Sequence, residues 1–429
     1  MKNIFALFVA LITSSCFFGP VKELKYQIED SFDEGESLTE PKKISNFQQT
    51  KSTEIIWKSK LEGNLEHTTT YLLQKKDMLF AISSSGNLTA FNSEDGLVKW
   101  TKNFNVQVSS GLSGNDSIVV FTSQDGYIYC VDFEGKLLWK AFFGRILSPP
   151  LVLKELLVLR RDDNLFASFD TLEGNIVWKY QAPSASLTLN SQGKMIFSDG
   201  VVYSGLPNAK LIALEATSGL LIWEATISRP KGTSDIDKLN DITSQPVIDN
   251  SLIFTVSMNG DVACLDRKTS EILWTRPLSS FVGITDHLDE VLVVHQTDSI
   301  YSLNKLTGKS NWRNGNLKGR SLTTGIIVDD YFITGDFEGY IHTIDVNTGS
   351  LVGRLFLESK TKILNNLLKN LDNSFYTVNT EGMIYKLKLV DVDIPVDNVE
   401  LESSVEETDI SEESSTFKLF DKLKEKILN

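Results

Sequence analysis

The chain has 429 residues, 41% of them hydrophobic, 10% aromatic and 23% charged, values that fit neither a disordered chain nor a membrane-embedded helical bundle. Its 42 Lys and Arg against 56 Asp and Glu give a net charge of −14, so the chain as a whole lacks the footprint for a phosphate backbone. Nucleic acid is not an expected ligand.

At the N-terminus, Lys2 supplies a positive end, Ile4 to Ile12 an unbroken apolar run, and Thr13, Ser14 and Ser15 small residues, a pattern that predicts an export signal over 1–15. Cys16 follows at once. The arrangement resembles a bacterial lipoprotein signal, which would make Cys16 the lipid attachment site, although Thr13 stands where Leu is usual; an ordinary signal followed by an incidental Cys is the other reading. Residues 16–51 are polar, hold Gly19, Pro20 and Pro41, and predict a flexible tether.

The body is written by tryptophan. Trp57, Trp100, Trp139, Trp178, Trp223, Trp274 and Trp312 lie 38 to 51 residues apart, and each closes the same frame of turn, alternating strand, turn and apolar run. Asp125-Gly126, Asn259-Gly260 and Glu338-Gly339 mark one corner of the frame, while Glu134-Gly135, Thr307-Gly308 and Thr348-Gly349 mark the next. Upstream β-branched runs such as SIVVFTS (117–123) bring each repeat to four strands. Four-stranded units of this length predict an all-β, eight-bladed β-propeller over 52–390. The seventh repeat has lost its Trp in TGSLVGR (348–354), and the eighth ends before a fourth strand is reached. The missing strand is expected from STEIIWKSKL (52–61), pairing with 383–389 and closing the ring, which removes the free edges that an open array would expose. Repetition at equivalent places assigns the tryptophans to packing between blades rather than to a ligand platform. Cys130 and Cys264 occupy equivalent places in repeats two and five and are expected as separate, buried thiols.

Between Trp223 and the next strand, residues 227–246 form the longest insertion, a usual place for binding residues on a repeat scaffold. After the last repeat, 391–415 holds ten acids and no Lys or Arg and predicts an acidic linker. Residues 416–429 space Phe417, Phe420, Leu423 and Ile427 helically; a short amphipathic helix and a frayed charged tail are both open readings.

Four scattered histidines, with no H-E-x-x-H, no C-x-x-C, no G-x-S-x-G and no P-loop, give no spacing from which to build a metal or catalytic site. The plentiful acids leave a carboxylate pair as an open reading beside solvated loops; the protein is expected not to be an enzyme, and no cofactor is expected.

The frame D-G-x-(I/L)-x-A-(L/F)-(D/N)-x-x-(T/E)-G-x-(I/L)-x-W resembles the pyrroloquinoline-quinone-type propeller repeat. Within that superfamily, GTSDIDKLNDITSQPVI (232–248), NGDVACLD, EILW and GDFEGYIHTID (335–345) resemble the lipoprotein subunits of the outer-membrane β-barrel assembly machinery. The resemblance covers about 50–390. It implies an outer-membrane lipoprotein facing the periplasm, docking on a POTRA domain of the central barrel subunit and aiding delivery of unfolded barrel precursors. It also implies docking through a Leu-x-Leu-Arg segment and a nearby acidic loop. Leu187, Leu189 and Asn190 answer to the first, with Asn190 in place of the Arg. Asp237, Leu239 and Asp241 answer to the second, with Thr243 in place of a second acid. A quinoprotein dehydrogenase shares the repeat and blade number but often carries adjacent cysteines, absent here, and a glycan-binding propeller would expose aromatics outside the repeat frame.

Overall fold

A computed structural model of the chain describes residues 25–26, 40–63, 65, 72–185, 187–189, 193–230, 234, 238–364 and 367–392. The export signal, Cys16, residues 393–415 and the helix expected over 416–429 lie outside the described residues. The described strands form eight antiparallel sheets of four strands each, the blades of an eight-bladed propeller. Blades one to seven run continuously over 72–103, 108–142, 151–181, 196–226, 247–276, 283–314 and 326–356. Blade eight takes three strands, Leu368–Lys369, Ser374–Val378 and Met383–Asp391, from the end of the body, and its fourth, Lys51–Lys60, from the beginning. Lys51 lies opposite Asp391 and Lys60 opposite Met383. The closing pair thus extends one residue beyond the boundary expected at 390, so Asp391 is a strand residue, salt-bridged to Lys51, rather than the start of a linker.

The tryptophans explain how blades adhere. Each stands on the fourth strand of its blade and donates its indole N–H to a carbonyl in the last turn of the next blade, from Trp57 to Ser93 through Trp312 to Val346, at 2.5–3.3 Å. The ring also lies on that turn. Gly349, at φ 71°, sits so close over Trp312 that an added Cβ would stand 2.5 Å from the indole, so the turn needs glycine both for its backbone and for the contact.

Opposite six of the seven Trp residues, on the third strand of the same blade, stands a small residue, Ala90, Cys130, Ser168, Ala213, Cys264 or Ser302, while Trp57 of the closing strand faces Lys386. This placement gives both cysteines their reason. Both are free and fully buried, and burial pushes each thiol up to about 12. A thiolate is the reactive form, so neither Cys130 nor Cys264 is expected to react with iodoacetamide at pH 8 in the native protein, whereas both react in denaturant. Intact-mass measurement reads the outcome directly, and alkylation of the folded protein would contradict this packing.

Blade seven lacks the Trp because blade eight lacks the turn. Blade eight's third strand does not fold back; its fourth strand arrives from the N-terminus, and at Gly353, where the Trp would stand, an added Cβ would meet the Lys51 carbonyl oxygen at 2.8 Å. The closing strand occupies the space that an indole fills elsewhere.

The chain reaches that strand along blade seven. The Lys42 backbone is held at the 318–320 turn, its N–H donating to the Lys318 carbonyl at 3.0 Å and its carbonyl accepting from the Arg320 guanidinium at 3.2 Å. Arg354 donates to the Ser45 carbonyl at 3.0 Å and lies 4.9 Å from the Phe47 ring centre, and Thr50 donates to Val352 at 3.0 Å. Residues 40–50, read from sequence as tether, are therefore bound to the propeller. Their partners are supported from below: the buried Arg320 and His342 both reach one carboxylate oxygen of buried Asp336, at 2.7 and 2.8 Å. Pairing of this kind is what makes buried charge tolerable.

Candidate functional site

Antiparallel order puts the turns between second and third strands, and the connections between blades, on one face of the ring. Two connections there stand out: 182–195, between blades three and four, and 227–246, between blades four and five. Leu187 is 50% exposed at the tip of the first, followed by exposed Thr188 and half-buried Leu189. Leu239, also half-buried, follows exposed Lys238 in the second. Asn190 and Asp237 lie outside the described residues.

Asp241 departs from what the sequence suggests. An acid in a polar insertion reads as exposed, yet Asp241 is 3% exposed, and its two carboxylate oxygens accept the backbone N–H groups of Leu189, at 2.7 Å, and Asn208, at 3.2 Å. Both oxygens are occupied within the fold. The side chain acts as a brace that holds the Leu189 segment against blade four, and it is not displayed to a partner. Thr243 is likewise buried, donating its hydroxyl to the Phe281 carbonyl at 3.1 Å, while the Phe281 ring is 48% exposed nearby in sequence to blade six. Backbone bonds finish the stitching, from Ile242 to Leu206 and from Met258 to Asp241, and the Asn240 amide reaches the Ser228 carbonyl at 3.3 Å.

Two residues essential to this arrangement escape a sequence reading. Arg160 closes the apolar strand Leu156–Arg160 and is 2% exposed, and Asn164 sits in the following turn at φ 65°. The only hint is the unbroken apolar run Leu156–Leu159, which marks a strand buried on both faces and carries the residue at 160 with it. Burial draws the Arg160 guanidinium down, to about 9, and the charge of Asp241 opposes that shift, so the group stays positive at neutral pH. Arg160, Asn164, Leu189 and Asp241 line a cleft of about 310 Å³ with Leu147 and Pro207.

A larger concavity of about 1150 Å³ opens along the axis, lined among others by Arg145, Lys194, Phe281, His295, Asp298 and Lys362. First-strand residues such as Ile196, Ile248, Ile284 and Ile326 form its apolar wall. His295 hydrogen-bonds Thr297 at 2.8 Å within its own turn, and Asp298 accepts the backbone N–H groups of Ser321 and Leu322 from the connection between blades six and seven, so both are engaged within the fold. Among the described residues no group of three His, Cys, Asp or Glu side chains is placed to hold a metal ion.

Residues 100–314 match the family model described as outer membrane protein assembly factor BamB. The chain belongs to this family. Among curated relatives, the outer membrane protein assembly factor BamB of Bordetella pertussis is 29% identical over 282 residues, 65% of this chain and 73% of the relative. Among solved structures, BamB from Moraxella catarrhalis superimposes with a TM-score of 0.71 at 22% identity, covering 78% of this chain and 99% of that one. The fold is also shared with the quinohemoprotein alcohol dehydrogenase of Comamonas testosteroni, at a TM-score of 0.62 and 12% identity over 78% of this chain and 76% of that one. At that identity the likeness is one of fold alone.

Proposed function

We propose that the protein is a non-enzymatic scaffold in the assembly of outer-membrane proteins, the role carried in the names of its family relatives. It is held at the outer membrane by lipid on Cys16, faces the periplasm, and docks through the 182–195 and 227–246 connections on a POTRA domain of the central barrel subunit. The observation that carries this reading is the pair of connections tied together by Asp241, with Leu187 left half exposed at their tip. A rigid frame displaying an apolar anchor is the usual anatomy of a protein-binding surface. Delivery of barrel precursors would use the outer strands, whose free edges carry exposed apolar residues such as Leu138, Val177, Ile222 and Leu273; an extended segment can add to such an edge. The quinoprotein alternative rests on fold alone and the glycan-binding alternative on no residue of this surface.

The test is co-purification. Mature protein recovered from solubilised outer membranes is expected to bring the barrel subunit with it, and to fail to do so after Leu187→Ala and Leu189→Ala together. If the barrel subunit never accompanies the wild type, the reading is wrong.

A further inference from the structure

We propose that Arg160 is the positioning residue that sets the two docking connections in register, so that partner affinity is controlled from beneath the surface. The inference deepens the docking reading and rests on it. From its buried site at the end of the Leu156–Arg160 strand, the guanidinium reaches each connection through one intermediary, Asn164 for the first and the Gly205–Leu206 strand end for the second. Toward the first, its Nε and one terminal nitrogen share the Asn164 side-chain oxygen, at 3.1 and 2.7 Å. Asn164 in turn holds the base of that connection, its amide donating to the Pro183 carbonyl at 3.2 Å and its carbonyl accepting the Ala182 N–H at 3.1 Å. Toward the second, the other terminal nitrogen donates to the Gly205 carbonyl at 2.6 Å. The neighbouring Leu206 carbonyl accepts from Ile242, beside Asp241.

Charge completes the bridge. Arg160 and Asp241 line the same cleft, and Asp241 is the carboxylate whose field acts on the buried guanidinium. Asp241 spends its own oxygens on Leu189 in the first connection and Asn208 in blade four. The guanidinium thus shares its cleft with the carboxylate that pins Leu189, and its planar fork ties Asn164 to Gly205. Lysine could supply the charge but not the fork. Neither residue needs to touch the partner.

Two readouts on the mature protein test this. Hydrogen exchange at the amides of Leu189 and Asn208 is compared among wild type, R160M, R160K and N164A, and the affinity of each for the isolated POTRA region is measured by titration. R160M is expected to speed exchange at those two amides while blade-core amides stay protected, and to weaken binding about tenfold or more, with R160K between it and wild type. In a D241N background, adding R160M is expected to cost little further affinity, because both changes release the same segment. If wild type binds and R160M matches it in both readouts, Arg160 is only a core residue and the proposal fails. If wild type does not bind the POTRA region, the docking reading fails, while the exchange arm still decides whether Arg160 braces the connections. Should R160M not fold, R160K and N164A carry the same comparison: wild-type exchange and affinity in both would overturn the proposal.

Discussion

Deleting residues 40–60 is expected to cost the protein its folded ring, and a urea titration followed by circular dichroism should show no native transition. The segment is a small part of the chain, but it holds the only link between blade eight and blade one through a Trp. Trp57, 8% exposed, donates to the Ser93 carbonyl at 3.3 Å, rests on the Gly96 turn of blade one, and meets the Tyr376 ring of blade eight at 5.8 Å. Removing a buried Trp alone costs about 3–5 kcal/mol. The deletion also strips the third strand of blade eight along its whole length, from Lys60 opposite Met383 to Lys51 opposite Asp391, and leaves a long free edge open to association. A variant that kept a wild-type midpoint would show that the ring does not depend on its closure.

The same geometry makes a converse prediction. Gly353→Trp restores the residue that the repeat pattern calls for, and yet it should destabilise by about 1–3 kcal/mol, because the Lys51 backbone already fills the indole's place.

The second large effect is on binding. Leu187→Ala with Leu189→Ala is expected to weaken affinity for the POTRA region by about 2–4 kcal/mol, on the order of 100-fold, if each anchor contributes ~1–2 kcal/mol. Stability should hardly change, since Leu187 is half exposed in the free protein. Asp241→Ala separates from this pattern. It is expected to weaken binding by freeing Leu189 and also to lower stability, because two backbone N–H groups lose their acceptor, at about 1–3 kcal/mol for each left buried. Salt is a further discriminator. Asn190 is uncharged, Thr243 is uncharged and buried, and Asp241 is turned inward, so the part of the contact carried by Leu187 and Leu189 is apolar, and an affinity resting on them should change little between about 0.05 and 0.5 M salt. A steep loss with salt would mean that charges elsewhere on the face carry the contact.

Much of this fold is legible in the sequence because each blade repeats its own instructions. The seven tryptophans and the turn glycines name the blade boundaries, and the orphan STEIIWKSKL announces the closing strand. What the pattern leaves open is relational. The loss of Trp at Gly353 is visible in the sequence, but its reason lies in Lys51, some 300 residues away. Residues 40–50 read as tether because nothing local fixes them; Lys318, Arg320 and Arg354 do so from the far end of the chain. The candidate site shows the same limit. Leu187 and Leu189 are found by resemblance, whereas the inward turn of Asp241 and the part played by Arg160 depend on carbonyls and amides that come together only when blades three, four and five are stacked.

In the proposed docking, the face carrying the 182–195 and 227–246 connections meets the barrel-assembly subunit. The most direct measurement is site-specific photo-crosslinking in intact cells, with the photoreactive residue at Thr188 on that face and, as the contrast, at Leu306, a 79%-exposed turn residue on the opposite face. An adduct with the POTRA region of the barrel subunit is expected from position 188 and none from 306. An adduct from 306 with none from 188 would place the partner on the wrong face and contradict the proposed docking.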